Sequence, residues 1–413
     1  MIAADQPPTA VGRLGRPFWI VWSASAVSTL GDGLRYVTFP LLAAGLSTDP
    51  RAVAVVFVAG YLPWPVFGLL GGVVVDRHDR RTVMWTTDTA RAVAVGAFTA
   101  VLVTSATTVV SLAVLSFLLG AAETLFDNAA SAIVPQIVAP GGLEQANSWL
   151  LGVQTLNSTL IGAPLGALLY GVARYLPTAA DAVSFAVAAA LVWSLPGRRY
   201  RPASSTSRTS LGTDIGAGLR WLSHHRFLRT ACLLLIIING TLGAGEAVLV
   251  LYARSTLGLS NLGYTVLFVS LAVGAIFGTV IAPAIRRRVD LRPVVVSAAV
   301  GQASALLAVG STTDLAIATA AMAIVGASNA AWNVVTLSYR QGAVPTELLG
   351  RVTASYRVIA LSAMPIGAAA GGITAHAWGL HAPYLAGGIV LTAATLLAFP
   401  ALQHPAPLPA TAQ

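Results

Sequence analysis

Charged side chains are scarce in this sequence, and lysine is absent altogether. Of its 413 residues, 9% are charged and 56% are hydrophobic, and the mean hydropathy is +0.77. A soluble domain usually carries about 25% charged residues, so this chain has too little polar sequence to cover a water-exposed surface. Apolar runs long enough to cross about 30 Å of hydrocarbon recur along nearly the whole length. The composition therefore predicts a protein that crosses the lipid bilayer many times.

The missing residue types also exclude several classes of function. A phosphate-binding G-x-x-x-x-G-K-[ST] loop requires a lysine, so the chain has no ATP-binding loop of this kind. The single cysteine, Cys232, cannot form an internal disulfide. The six histidines are scattered and predict no metal site and no cofactor. An enzyme embedded in the membrane and acting on lipid-linked substrates is the alternative from another class, together with a sensor or scaffold that transports nothing.

The basic residues are all arginines, and their distribution predicts the orientation of the chain. The net charge of +9 is the balance of 24 arginines and 15 acidic residues. The arginines fall in alternate loops, a pattern of membrane proteins rather than of nucleic-acid binding proteins. With the N-terminus inside, 18 arginines lie on the cytoplasmic side and 3 lie outside. We therefore expect both termini in the cytoplasm. The protein is further expected to lie in the cell (inner) membrane and to be a monomer.

Twelve apolar segments predict an all-α protein with twelve transmembrane helices in two pseudo-symmetric six-helix bundles. The expected spans are 18–44, 52–75, 83–104, 108–136, 147–170, 177–195, 230–252, 262–285, 293–311, 315–338, 353–376 and 383–402. The corresponding organisation is a cytoplasmic tail (1–15), a first bundle (16–195), a cytoplasmic linker (196–229), a second bundle (230–402) and a C-terminal tail (403–413). Within the linker, the segment 214–229 is predicted to form an amphipathic helix at the interface.

The two halves repeat in sequence. The motif TLGDG at 29–33 matches TLGAG at 241–245, and Gly72 and Gly120 match Gly278 and Gly326 at an offset of 206. Each match is short, but they occur in the same order in both halves. A duplicated six-helix unit of this kind usually encloses a binding site near the middle of the membrane.

Charged residues inside the predicted spans are the candidates for function, because charge is costly in hydrocarbon. Asp32 and Arg35 are spaced to pair on one face of span one, and Asp88 and Arg91 are spaced in the same way in span three. The first pair is equally compatible with function and with structure, whereas the second is expected to be structural. Asp181, near the start of span six, is expected to lie close to the outer interface in a structural role.

Two glutamates are the predicted carriers of protons. Glu123 has no arginine within one turn of its own helix, and Glu246 in span seven has none either. Burial of an unpaired carboxylate favours its neutral form, which suits reversible protonation. Glu123 and Asp127 share a face of span four, and their repeat counterparts are Asn329 and Asn333. We expect these polar groups to line a cavity, together with Asn239.

One loop resembles the signature of the major facilitator superfamily. The sequence GVVVDRHDRR at 72–81 is similar to G-x-x-x-D-R-x-G-R-[RK], except that Asp79 replaces the glycine. The segments 119–138, 143–148 and 347–357 resemble the branch that exports drugs and siderophores, including enterobactin and macrolide efflux proteins. GAPLGA at 162–167 loosely resembles a helix-kinking motif of antiporters, with Gly162, Pro164 and Gly166 in the matching places.

The resemblance implies a secondary exporter that works by alternating access. It implies the major facilitator fold, a small amphipathic cargo such as a drug, antibiotic or siderophore, and exchange of that cargo for protons. It also implies a cytoplasmic gate, in which Asp76 lies near Arg351 and Arg80 lies near Asp127. The gate residues that it implies are Gly72, Asp76, Arg80, Arg81, Asp127 and Arg351.

Overall fold

The computed structural model describes residues 14–196, 200 and 211–402, and the regular structure in these ranges is entirely helical. Both predicted tails and the middle of the linker fall largely outside them. The α-helices are α1 (Arg16–Leu46), α2 (Pro50–Tyr61), α3 (Pro63–Arg77), α4 (Arg80–Val103), α5 (Val109–Ile137), α6 (Leu143–Thr155), α7 (Gly162–Val172), α8 (Leu176–Trp193), α9 (Leu211–His224), α10 (Arg226–Leu251), α11 (Asn261–Arg286), α12 (Leu291–Ser311), α13 (Leu315–Ala343), α14 (Thr346–Trp378) and α15 (Ala382–Ala398). Each of the twelve predicted spans lies on one of these helices or on two in succession, so the predicted fold class is confirmed.

Eight helical stretches in the described ranges are long and apolar enough to cross a membrane, and α15 is a shorter apolar helix. Span two differs from the prediction, because it is two helices that meet at Leu62. Pro63 and Pro65 follow this point, and a proline has no N–H group to continue the helical hydrogen bonds of the preceding turn. The chain therefore starts a new helix at Pro63, where proline is well tolerated.

Span five is also interrupted, here by a π-helical turn. Residues Leu156–Ile161 form this turn between α6 and α7. It lies just before the predicted kink motif, where Pro164 has no N–H group for the carbonyl four residues earlier. The side chain of Asn157 donates to the carbonyl of Ala26 in α1 at 2.7 Å, which ties the turn to its neighbour.

Small residues allow the helices of both repeats to approach closely. A Cβ atom added to Gly162 would lie 2.7 Å from the Cα atom of Gly33, so α1 and α7 meet backbone to backbone. In the second repeat, a Cβ atom at Gly371 would lie 2.6 Å from the Cα atom of Ala244, which joins α10 and α14 in the same way. These matched contacts place spans one and five, and spans seven and eleven, in equivalent pairs.

By packing, the chain divides into two compact units. The first comprises residues 1–38, 66–107 and 117–205, and within it α4 packs along α8. The second comprises 39–65, 108–116 and 206–413. Its main helix pairs are α10 with α14, α11 with α13, and α12 with both α13 and α15; α2 also packs on α14.

The linker helix ends earlier than the sequence predicts. The segment 214–229 is not one helix, because α9 ends at His224 and α10 begins at Arg226. His225 separates them and caps α10, since its Nδ1 atom accepts from the backbone N–H of Leu228 at 3.3 Å. Helix α9 packs on α14, where Gly218 lies against the carbonyl of Arg351 and the side chain of Ser355.

The loop between α3 and α4 explains why aspartate replaces the signature glycine. Asp79 is the N-cap of α4, and its Oδ1 atom accepts from the backbone N–H of Thr82 at 3.0 Å. Its other oxygen accepts from the N–H of Tyr200 at 2.7 Å. The side chain of Arg81 donates to the carbonyls of Val192 and Trp193 at the end of α8. The loop therefore joins the start of α4 to the end of α8 and to Tyr200.

We predict that Asp79→Ala destabilises the first unit. The variant loses a helix cap, which typically costs about 0.5–2 kcal/mol, and also the acceptor of the Tyr200 N–H group. The expected result is a lower free energy of unfolding, measured on purified protein in detergent. Asp290→Ala is the matched control, because Asp290 occupies the N-cap position of α12 without a side-chain capping bond. Equal stability of the two variants would contradict the capping role of Asp79.

Candidate functional site

A cluster of buried charges lies inside the first unit and is centred on Arg35 of α1. The Nη2 atom of Arg35 lies 2.6 Å from Oε2 of Glu123 in α5 and 3.0 Å from Oδ1 of Asp32, one turn earlier in α1. The hydroxyl of Tyr36 donates to the other oxygen of Glu123 at 2.8 Å. Arg35 is thus shared between two carboxylates, and Glu123 is held by two consecutive residues of α1.

A second arginine extends the cluster into α4. The Nη1 atom of Arg91 lies 3.3 Å from Oδ1 of Asp88 and 4.0 Å from Oδ2 of Asp32. Its guanidinium group also lies over the rings of Phe126 and Phe185, at 5.6 and 5.0 Å from their centroids. Cation–π contacts of this kind stabilise a desolvated guanidinium group. Asp32 therefore lies between the two arginines.

The charged groups of this cluster are almost completely shielded. The exposed fractions of Asp32, Arg35 and Glu123 are 5, 6 and 8%, and those of Asp88 and Arg91 are 0 and 2%. The Nε atoms of both arginines and the Nη2 atom of Arg91 have no hydrogen-bond partner. Buried ion pairs of this type contribute little net stability, but loss of one partner costs about 3–5 kcal/mol, because the other charge is left uncompensated. The arrangement is therefore sensitive to any change in the charge of one member.

The pairing of Glu123 differs from the expectation. The sequence shows no arginine near Glu123 in its own helix, and we expected an unpaired carboxylate. The structure pairs it instead with Arg35, which is 88 residues away in the chain. The predicted pairs Asp32 with Arg35 and Asp88 with Arg91 are both confirmed.

Asp181 belongs to the same region, which the sequence did not indicate. Its exposed fraction is 1%, and neither of its side-chain oxygens has a hydrogen-bond partner. It packs against Gly31, the residue before Asp32, where an added Cβ atom would collide with Oδ1 of Asp181 and with Oγ of Ser184. We refer to Asp32, Arg35, Asp88, Arg91, Glu123 and Asp181 as the charge cluster.

In the second unit, Asn329 and Asn333 occupy the positions that the repeat relates to Glu123 and Asp127 of α5. The side chain of Asn333 donates to the side-chain oxygen of Asn329 at 3.0 Å, and Asn329 donates to that of Asn239 at 3.5 Å. Asn239 in turn donates to the carbonyl of Ala360 in α14 at 3.0 Å. The predicted polar residues Asn239, Asn329 and Asn333 therefore form one chain of hydrogen bonds.

Glu246 of α10 is partly buried, and it has no hydrogen-bond or ion-pair partner in the described part of the second unit. It interacts electrostatically with Tyr264 and Tyr384. Because Tyr384 donates its hydroxyl hydrogen to the carbonyl of Gly245 at 2.9 Å, that hydrogen is not directed at Glu246. The carboxyl group of Glu246 therefore has no paired cation within the described part of the second unit.

A contact between a histidine and an aspartate lies at the C-terminal end of α14. Asp49, the N-cap of α2, lies 3.2 Å from Nδ1 of His376 and 2.9 Å from Nη2 of Arg51. One turn before His376, Gly372 of α14 packs on the side chain of Ala54 and on the carbonyl of Pro50. We refer to Asp49, Arg51 and His376 as the loop contact.

The structure describes the surroundings of only some residues of the predicted cytoplasmic gate. Arg80 is buried at the start of α4, and its Nε atom has no hydrogen-bond partner. Arg81 donates hydrogen bonds to carbonyls at the end of α8, as described above. Asp127 and Arg351 are partly buried. The surroundings of Gly72 and the side chain of Asp76 lie outside the part that the structure describes. The gate stays a prediction.

The described residues contain no group of three or more His, Cys, Asp or Glu side chains that could hold a metal ion. The charge cluster has a different chemistry. It combines several buried carboxyl groups with two guanidinium groups that each contact more than one of them. Such a cluster can gain or lose protons and can exchange ion-pair partners.

Comparisons with known proteins agree with this architecture. Residues 14–411 match the family described as transmembrane secretion effector. The multidrug efflux pump Tap of Mycolicibacterium fortuitum is 26% identical over 380 residues, which cover 90% of this chain and 92% of that protein. Macrolide efflux protein A of Streptococcus pyogenes is 25% identical over 155 residues, which cover 38% of each chain.

Solved structures show the same fold at low sequence identity. The nucleoside transporter NupG (D323A mutant) gives a TM-score of 0.76 at 12% identity, over 94% of this chain and 100% of that one. A bacterial homologue of the iron transporter ferroportin in the inward-facing state gives 0.71 at 16% identity, over 92% and 98%. With twelve spans in two related sets and a match over almost its whole length, the chain belongs to the transmembrane secretion effector family of the major facilitator superfamily, whose members are multi-pass membrane transporters.

Proposed function

We propose that this protein is a proton-coupled exporter of a small amphipathic molecule and works by alternating access. The observation that carries the proposal is the buried contact of Arg35 with both Asp32 and Glu123, which joins α1 to α5. A transporter driven by protons needs acidic groups whose protonation changes how its helices are held together. This contact has that property, because a proton on Glu123 removes the charge that attracts Arg35.

The energetic scale of such a change suits a conformational switch. Loss of a partner from a buried ion pair is worth about 3–5 kcal/mol, and about 5.5 kcal/mol moves a two-state equilibrium from 1:99 to 99:1. Protonation of Glu123 leaves Arg35 with Asp32 on its own helix. Helix α1 is then released from α5, and ionisation of Glu123 restores the link. Coupling residues in this proposal are Glu123, Asp32, Arg35 and, as the rival acid in the second unit, Glu246.

The cargo class follows from charge and from the relatives. Carboxyl groups outnumber guanidinium groups in the charge cluster, which favours a cationic or neutral amphipathic molecule. Relatives of the chain are named as multidrug and macrolide efflux proteins. We therefore propose a drug, an antibiotic or a siderophore as the cargo, carried by a monomer in the cell (inner) membrane.

Transport driven by a proton gradient is the direct test. Purified protein in liposomes should move ethidium or a macrolide against its own gradient when a proton gradient is imposed, without ATP. Glu123→Gln should abolish this accumulation, because a neutral amide cannot exchange a proton or hold Arg35 as an ion pair. Accumulation is measured by fluorescence for ethidium and with radiolabel for the macrolide.

Glu246→Gln is the comparison variant for Glu123→Gln, since it removes the rival, partly buried acid of the second unit. If Glu123→Gln accumulates cargo like the unaltered protein and Glu246→Gln does not, coupling lies at Glu246. If the unaltered protein accumulates neither ethidium nor the macrolide under an imposed proton gradient, the proposed function is contradicted.

The proposed orientation, with both termini in the cytoplasm, gives a second prediction. In a Cys232→Ser background, Arg77→Cys and Arg288→Cys should react with a membrane-impermeant maleimide only after the cytoplasmic side is opened. Arg174→Cys, at an exposed position between α7 and α8, should react on intact cells. The reverse pattern of labelling would overturn the orientation inferred from the arginines.

The loop contact gives a third prediction, and in the proposed orientation it faces the outside. Hydrogen bonds from Arg51 lower the pKa of Asp49 to about 2, so Asp49 is ionised throughout the physiological range. Its charge is therefore available to Arg51 at 2.9 Å and to His376 at 3.2 Å. Asp49→Asn should weaken the connection between the start of α2 and the end of α14.

Spin labels at Leu46 and Trp378, both exposed and both near the contact, can report this change. Their short-distance population should decrease in Asp49→Asn, because the amide carries no charge to hold Arg51 and His376. Asp290→Asn, which changes an exposed acid at the start of α12, should leave the population unchanged. An unchanged population in Asp49→Asn would contradict this role of the loop contact.

A further inference from the structure

We propose that Asp181 is the carboxyl group that holds the coupling proton in the arrangement described here, and that its ionisation moves Arg35 away from Glu123. This inference rests on the proposed function and changes its proton carrier. Asp181 exchanges the proton, whereas Glu123 stays ionised and is needed to pair with Arg35 or with the cargo.

The first step of the argument is the isolation of the Asp181 carboxyl group. Its exposed fraction is 1%, and neither oxygen accepts a hydrogen bond. The hydroxyl of Ser184, three residues later in α8, donates to the backbone carbonyl of Asp181 at 2.8 Å and not to its carboxyl group. An ionised carboxylate without a partner is strongly disfavoured away from water, whereas a neutral carboxyl group is tolerated. The group is therefore protonated in this arrangement.

The second step is a comparison with the other acids of the cluster. Glu123 lies 2.6 Å from Arg35, Asp88 lies 3.3 Å from Arg91, and Asp32 lies within 4.0 Å of both arginines. Each of these carboxylates thus has a cation that stabilises its charge. Asp181 contacts neither arginine, so the proton belongs on Asp181 rather than on its neighbours.

The third step is the position of Asp181 relative to α1. Its carboxyl group fills the space beside Gly31, next to Asp32 in the chain and one helical turn from Arg35. It interacts electrostatically with Asp32 and Asp88 and with Arg35 and Arg91, which are the charged groups facing it from α1 and α4. When Asp181 loses its proton, a new negative charge appears beside α1 and competes with Glu123 for Arg35.

The consequence is an ordered exchange. With Asp181 protonated, Arg35 holds Glu123 and joins α1 to α5. When the proton leaves, Arg35 turns towards Asp32 and Asp181, and Glu123 becomes available for a cationic cargo. When Asp181 takes up a proton again, Arg35 returns to Glu123 and displaces the cargo. The proton is released to the cytoplasm as the cargo binds and is taken up from the outside as the cargo leaves, so one proton crosses inwards for each cargo molecule exported, and no other co-reactant is required.

Infrared spectroscopy tests the protonation directly and needs no cargo. The C=O stretch of a protonated carboxyl group should disappear from the spectrum of Asp181→Asn at neutral pH. It should shift, rather than disappear, in Asp181→Glu, which keeps a titratable group. Asp290→Asn, which changes an exposed acid, should leave the band unchanged. If Asp181→Asn retains the whole band, or if a folded Asp181→Glu variant does not shift it, Asp181 is ionised and the proposal fails.

Coupling is tested in liposomes with ethidium as cargo and a trapped pH dye. The unaltered protein should exchange protons for ethidium. Asp181→Asn, which is permanently neutral, should keep Arg35 on Glu123 and lose both proton exchange and ethidium transport, and Asp181→Glu should restore both in part. If the unaltered protein couples and Asp181→Asn couples to the same extent, this inference is wrong while the proposed function stands. If the unaltered protein moves ethidium and no protons, the proposed function itself fails.

Discussion

A guanidinium group buried among apolar helices needs compensation for its lost hydration, and in the first unit that requirement is met at Arg35 and at Arg91. Arg35 meets it by contact with Asp32 in its own helix and with Glu123 in α5. Arg91 meets it through Asp88 and through two aromatic rings. Four spans are thereby drawn around one set of charges, and their packing depends on charge as well as on shape.

The two repeats place different chemistry on the same helical framework. In both, glycines let the first and fifth helices of the repeat meet closely. At the positions related to Glu123 and Asp127, however, the second repeat has Asn329 and Asn333, which hydrogen-bond to each other and to Asn239. Amides keep their charge state at all pH values, so they can position a ligand but cannot exchange protons with water. The duplicated fold therefore combines one unit that can titrate at this position with one that cannot.

Much of the fold could be predicted from the sequence, because hydrophobic length and helical spacing are local properties. The twelve spans and the pairs of Asp32 with Arg35 and of Asp88 with Arg91 follow from such spacing. The break at Leu62 also had a local signal in Pro63 and Pro65, although the span was predicted as continuous. The partner of Glu123 had no local signal, because Arg35 reaches it only when α1 packs against α5. Asp181 was assigned to the interface for the same reason, since its burial depends on a glycine in another helix.

The π-helical turn at Leu156–Ile161 changes the phase of the helix in span five, that is, the direction in which the residues after the turn face. A π turn holds one residue more than an α-helical turn, and each residue in an α-helix advances by about 100°. The face of span five that follows the turn is therefore rotated relative to the face that precedes it. Gly162 and Gly166 reach the backbone of α1 because of this offset. A single-residue deletion in the turn would restore a regular helix and rotate both glycines away from α1, so the number of residues in this short segment matters as much as their identity.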